Sequence, residues 1–552
     1  MKKFTLLAAA ALFAALNVNA TVLYVATEAS GTGDGSSWDN AIGVNISEAG
    51  DTTFIETYIN DLAAGDIVYL KEGTYYGKRI TPKPGTTIIG GFPKEATGTD
   101  ISGYNPWTYK TTLDADKKNT IDSNRQAFIK VIGATSDNTP NIIKGVTITN
   151  CTAGTTTANV GPTLNSTNAY LVIEDVVFKN NYSYKGGCVA PAEGTKFYAK
   201  HCVWTGNETR KADGTASCLS VRGASGKITN AVLEGCVMVN DSVSSTMNYG
   251  GYINAQDNYT NLMMVNCYVD GGNRSINQNG GGIRTGKGHT LHLFAFNTFC
   301  NFQCTASEKK GHIMSIGNTN GLYLQGNIIT SSFKATKNDD KSVNALFFQN
   351  DTLTKYDNVK SYGYNTVTGM HFLTTSNVGT FRDNATGTDN WLAPTTEEVF
   401  GSNKMTEKDG LYYVEPTAAY GDVVLDDALK AFEDFEMPDC FKWANVDLSL
   451  DIFGNKRAAT TYRGAYDPNG TPVVDETTGI ENVTDNSAKI SVKSLGNGNF
   501  AIAGTEGNAE VYDLSGRLVS KQALNDGTLH LDNVASGIYL VRFPNATLKL
   551  AR

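Results

Sequence analysis

A phrase that returns roughly every 30 residues constrains this chain more than any other feature: an apolar residue, a short Asn- or Gly-rich turn, a Gly-Gly pair and another apolar strand. Ile148, Phe178, Trp204, Met238, Val269, Phe299 and Ile329 form one column, followed by turns at Asn150, Asn180, Asn207, Asn240, Gly271 and Asn301. A second column runs through Gly187-Cys188, Ser217-Cys218, Gly251-Tyr252, Gly281-Gly282-Ile283 and His312-Ile313. A third strand lies between them, at 227–233, 262–265, 291–295 and 322–324.

Three short strands per period, with no 3.6-residue pattern between them, exclude βαβ units and an ordinary sandwich. They fit a solenoid in which each period is one coil and equivalent residues stack about 4.8 Å apart. Phe178, Trp204, Met238 and Phe299 are then expected inside the coil. Two positions before the first column stand Cys202, Cys236 and Cys267, continued by Asn297, Asn327 and Asn365. That column predicts a cysteine stack running into an asparagine ladder, whose amides satisfy one another along the axis. The thiols read first as small apolar fillers, although neighbouring strands this close also permit bridging. Cys300 and Cys304 stand near His289 and His292 without zinc spacing, so no metal site is expected.

Both ends of an open coil need covers. Ile55, Tyr58, Ile59 and Leu62 recur at helical spacing and predict a capping helix. Residues 395–466, with a helical stretch at 426–435, suggest a C-terminal cap. The opening residues carry an export pattern: Lys2-Lys3, an apolar run over 4–16, and Val18-Asn19-Ala20, which places cleavage between Ala20 and Thr21. No other stretch approaches the roughly 20 apolar residues that membrane spanning needs. A net charge of −9 without basic blocks makes nucleic acid a poor partner.

Tyr24-Val25-Ala26, the run Gly31-Thr32-Gly33-Asp34-Gly35-Ser36-Ser37-Trp38, Gly65-Asp66-Ile67-Val68-Tyr69-Leu70 and Gly73-Thr74-Tyr75-Tyr76 resemble the opening of bacterial proteins of the pectate-lyase-like superfamily. Asp451-Ile452-Phe453-Gly454-Asn455-Lys456-Arg457, with Gly464-Ala465-Tyr466, is similar to the phrase that closes such domains. The resemblance implies an all-β chain with a right-handed parallel β-helix, while the superfamily spans lyases, hydrolases and adhesins. Beyond a polar linker, alternation returns in six or seven short strands, enough for a small C-terminal β-sandwich. Val511-Tyr512-Asp513-Leu514-Ser515-Gly516-Arg517 and Ala535-Ser536-Gly537-Ile538-Tyr539 resemble the two signature segments of the type IX secretion sorting domain. That likeness implies Asp513, Gly516, Gly537 and Tyr539 as sorting-motif residues, the type IX machinery as partner, and a route through the periplasm to the cell surface or medium. The expected organisation is a signal peptide over 1–20, an N-terminal cap and first coils over 21–125, a β-helix with C-terminal cap over 126–466, a linker over 467–479 and the sorting domain over 480–552.

Chemistry is harder to read. Cleaving an acidic polysaccharide needs a base beside the sugar carboxylate, with Ca²⁺ or basic side chains to neutralise it. Arg284, Lys287 and His289 occupy one strand and its turn, Arg222 lies on the equivalent strand two coils earlier, and Arg274 precedes Gly280. These are the candidate catalytic residues, set against the plainer reading of solvated outward side chains. Asp257, Asp270 and Glu234 are scattered where calcium would want convergent carboxylates, so no cofactor is expected, and Ca²⁺ only for a lyase. Tyr249, Tyr252, Asn254, Gln256 and Asn258 suggest instead a groove contacting a polysaccharide or host glycan. The favoured reading is therefore a glycan-binding or adhesin-like protein, with a polysaccharide lyase or hydrolase as the alternative.

Overall fold

Strands that alternate in three columns call for three walls, and the computed structural model has them. Parallel sheets of twelve, nine and eleven strands place each strand beside its equivalent in the next coil. One turn shows the pattern: Ile283–Lys287 in the second sheet, Leu291–Ala295 in the first and Thr298–Cys304 in the third. The structure describes residues 20–44, 55–77, 79–115, 127–133, 139–152, 161–209, 216–243, 251–255, 258–272, 275–276, 281–288, 290–304, 313–318, 321–331, 345–348, 359–372, 388–389, 395–433, 437–473, 491–496, 499–503, 507–512, 518–524, 527–531, 538–543 and 547–551.

The inward residues of all three sheets fuse into one apolar column running along the coil. Phe178, Trp204, Met238 and Phe299 are fully buried in it, and the Phe178 and Trp204 rings stack at 5.0 Å. Burying side chains of this size contributes about 1.5–3 kcal/mol each, so the column carries the fold.

The corner between the first and third sheets explains the cysteine and asparagine column. Val203, Val237, Tyr268, Thr298, Ile328 and Thr366 pair in register, which aligns the residues just before them: Cys202, Cys236, Cys267, Asn297, Asn327 and Asn365. Asn297 donates through its backbone N and Nδ2 to Asn327 Oδ1, and Asn327 does the same to Asn365 Oδ1. Each Nδ2 also reaches a carbonyl of the preceding coil, Met264 for Asn297 and Phe294 for Asn327. Cys151, Cys188, Cys202, Cys218, Cys236, Cys267, Cys300 and Cys440 are free thiols.

The residue before each rung turns the chain with positive φ, and Asp175, His201, Asn266 and Phe296 accept that conformation without being glycine. Where a bulky side chain stands there, the next coil supplies glycine. A Cβ on Gly326 would come within 2.7 Å of the Phe296 ring.

The opposite corner corrects the reading of the turns. Asn150, Asn180, Asn240 and Asn301 do hold positive φ, but Gly206, at φ +69, fills that place in the coil between Asn180 and Asn240. Asn207 stands one residue later, inside the coil, where Asn181, Asn207 and Asp241 form a second ladder. Two kinds of asparagine, turn and rung, sit side by side, and a one-residue slip exchanges them. The second column slips likewise: Gly282, rather than Ile283, aligns with Tyr252 and Ile313, because Ile283 pairs with Ile253 and Met314.

At the N-terminal end, helix Ile55–Asp61 buries Ile55 and Ile59 in the central core. The C-terminal segment behaves differently from the expected cap. Val399, Leu411, Val414 and Ile452 pack on outward residues of the third sheet, among them Val203, Val237, Tyr268 and Ile328. Val423, Ala428, Phe441 and Leu448 pack on outward residues of the first sheet, Val232, Met263 and Leu293. The segment is a brace along the flank, drawn there because these coils carry apolar residues on their outer faces as well as inside.

The first unit ends at Val473 rather than at the expected linker start. Asp467 is buried and accepts from Ala458 N and Thr461 Oγ1, and Thr471 bridges Lys456. The second unit holds two antiparallel sheets, of three and four strands. Phe500, Ile502 and Leu529 from one share a core with Val511 and Val541 from the other. Of the sorting-motif residues, Tyr539 is buried in that core, while Asp513, Gly516 and Gly537 lie outside the described residues.

Candidate functional site

Inward and outward residues alternate along the second sheet, so Ile253, Ile283 and Met314 fill the core while Asn254, Arg284 and Ser315 line up outside, preceded by Ser220. Arg284 is only 6% exposed, which removes it from the solvated outward side chains. Arg222 is exposed and bridges Ala192, two residues past Ser220, so it does not join the Arg284 row. Lys287 pairs with Asn318 at the strand's end, and His289 and Arg274 lie outside the described residues.

The carboxylates stay apart from Arg284. Asp270 is on the third sheet, held by Tyr268 Oη, Asn301 Nδ2 and Gly272 N. Glu234 ends a first-sheet strand beside Lys200, and Asp257 lies outside the described residues. Cys300 and His292 are separated by the coil wall: Cys300 packs outward against the brace, and His292 faces inward between Leu262 and Leu322. Burial drives the His292 pKa down to about 3. The expected glycan groove is not assembled either. Tyr252 is a core residue, edge-on to Phe302 at 5.3 Å, Asn254 is buried, and Tyr249 and Gln256 lie outside the described residues.

The outer face of the first sheet offers a different site. Its early coils are covered by Tyr24, Trp38, Tyr69 and Phe92, and its later coils by the brace. Between these covers the strands Asn141–Lys144, Tyr170–Glu174 and Lys196–Lys200 turn Ile142, Val172 and Tyr198 outward, half-buried. Tyr170, Lys196, Asn230 and Asn261 line one side of this window in register. Trp443, on the brace, closes one end, edge-on to Tyr170 at 5.5 Å and to Tyr198 at 6.4 Å. The Lys196 ammonium lies 5.7 Å from the Tyr170 ring centre.

The other side is a row of alternating charge, Lys144, Glu174, Lys200 and Glu234, one residue per coil. Lys144 pairs with Glu174 at 3.1 Å and Lys200 with Glu234 at 3.4 Å, and the Tyr198 hydroxyl donates to Glu234. Next to the row, Tyr104 Oη donates to Asp175 Oδ2 at 2.7 Å. Burial, reinforced by Glu174, lifts the Asp175 pKa to about 6. His201 Nδ1 stands 3.8 Å from Asp175, yet burial, then Lys200, lowers its pKa to about 4. His201 is therefore neutral at neutral pH, and the contact is not an ion pair.

No family model matches the sequence, and no curated protein matches it. Solved structures do. Pectate lyase Pel9A is similar at 12% identity and a TM-score of 0.37, over 82% of this chain and 98% of its own. A Family 28 exopolygalacturonase from Yersinia enterocolitica is similar at 11% identity and 0.21, over 64% and 78%. Tailspike protein 3 of bacteriophage CBA120 is similar at 10% and 0.20, over 67% and 66%. Such likeness brings no chemistry to this chain, whose parallel β-helix rests on its own sheet order.

The charge row was open to sequence reasoning, because Lys144, Glu174, Lys200 and Glu234 recur near the coil period. Trp443 was not, since its place depends on where the brace docks.

Proposed function

We propose that this chain is an exported β-helix protein, destined for the cell surface or medium, that binds a glycan in the window on its first sheet. The observation that carries the reading is the interruption of cover: apolar outer faces are packed on both sides, while Tyr170 and, at the edge of the brace core, Tyr198 and Trp443 remain partly exposed beside Lys196 and Asn230. A shallow apolar floor with a few polar groups at its rim suits a sugar, which offers C–H faces to aromatic rings and hydroxyls to amides. Cleavage at Ala20-Thr21 and the two tail motifs support passage to the periplasm and onward by the type IX machinery. Among the described residues no helix is long and apolar enough to cross a membrane.

Binding is tested by calorimetric titration of the mature protein with polysaccharides. Tyr170→Ala and Trp443→Ala should each weaken binding about tenfold or more while melting near the wild type. Unchanged affinity in both variants refutes the window as the site. Export is tested by fractionating cells that make a chain ending at Val473. It should stay in the periplasm, and its arrival at the surface refutes the sorting role.

A further inference from the structure

We infer that the window takes an uncharged polysaccharide rather than an acidic one, an inference that rests on the binding reading above. The charge row is internally balanced. Glu174 sits in register between Lys144 and Lys200, and Lys200 between Glu174 and Glu234, with ion pairs at 3.1 and 3.4 Å. A polyanion would draw a lysine from its carboxylate and leave that carboxylate partly enclosed without its counter-charge, which costs more than the new contact returns. Glu234 is 6% exposed at its side chain, so the cost is greatest there. The remaining cation of the floor, Lys196, lies over Tyr170 and is spaced from the row by Tyr198.

The opposite rim is amide. Asn261 Nδ2 donates to Asn230 Oδ1 at 2.8 Å, and Leu291 N donates to Asn261 Oδ1. This fixes the Asn230 amide so that its Nδ2 hydrogens have no partner among the described residues. An oriented amide donor, three aromatic rings and neutralised charges match a chain of hydroxyls and C–H faces. They do not match repeating carboxylates or sulfates.

The test is to titrate the protein with soluble neutral chains (glucan, mannan, galactan, xylan) and acidic chains (polygalacturonate, alginate, chondroitin sulfate) at low and high salt. The inference expects a neutral chain to bind with affinity unchanged by salt, and Trp443→Ala to lose it about tenfold or more. It also expects Glu174→Gln, which frees Lys144, to gain salt-sensitive binding of an acidic chain. Binding confined to acidic chains, or as tight to acidic as to neutral ones, overturns the inference and leaves the binding function standing. Binding to none of them overturns the function itself.

Discussion

Arg457 is enclosed completely, and its guanidinium donates to the carbonyls of Leu450, Tyr462, Gly464 and Ala465 and to Asn266 Oδ1. It also lies 4.4 Å from the Phe296 ring centre. The closing phrase that includes it stood out in the sequence, but its mechanical task did not. Only coordinates bring Arg457 to the turn residues Asn266 and Phe296, which a sequence cannot separate from their neighbours. Asp241 is the other residue whose setting decides its behaviour. It ends the Asn181–Asn207 ladder, accepts from Cys218 Sγ, and burial lifts its pKa to about 7. A folded pKa above the unfolded value of 3.8 means that its contribution is full below about pH 4 and is lost as pH rises through about 7. Asp241→Asn supplies the same acceptor and an Nδ2 for the next carbonyl, Trp204, as Asn207 supplies Phe178. Thermal melts from about pH 5 to about pH 8 should show wild type losing stability with rising pH and the variant losing less. Parallel loss in both would contradict the assignment.

The ladders separate asparagines that look alike in sequence. Asn327 accepts two bonds from Asn297 and donates to Phe294 O, all of them buried. Asn327→Ala strands these groups and should cost about 3 kcal/mol or more in urea unfolding. Asn180 turns the chain at the exposed corner with φ +54, and Asn180→Gly should be within about 0.5 kcal/mol of wild type. The Cys-to-Asn column was readable because three cysteines and then three asparagines keep one position in successive periods. The second ladder was not, because Asn180 and Asn181 are adjacent and choosing the wrong one flips its side chain across the wall. At the first strand, Thr21 N donates to Asp66 Oδ1 at 2.8 Å, and Asp66 is buried. Cleavage after Ala20 would make that nitrogen an ammonium against a carboxylate, a charge-assisted bond roughly twice as strong as a neutral one. A chain beginning at Thr21 should therefore melt higher than its N-acetylated form, and Asp66→Asn should abolish the difference. An equal melting temperature in the two forms would contradict the pairing.

For the whole molecule, sequence periodicity sufficed for the coil because each period repeats the same inward alternation. The brace escaped it, since residues 395–466 have no period and their destination depends on outward residues such as Val232, Met263 and Leu293, which a coil alone would leave polar. The site escaped with it. Arg284 and Arg222 share a sheet without sharing a row, whereas Tyr170, Tyr198 and Trp443 meet only because the brace stops where it does. The claim that this unbraced window holds the ligand is tested most directly by oxidative footprinting with a saturating polysaccharide. The account predicts protection of Tyr170, Tyr198 and Trp443, with the exposed Asn258 and Arg222 side of the second sheet unchanged. Protection confined to the second sheet, with those three aromatic residues still oxidised at their free rates, would contradict it.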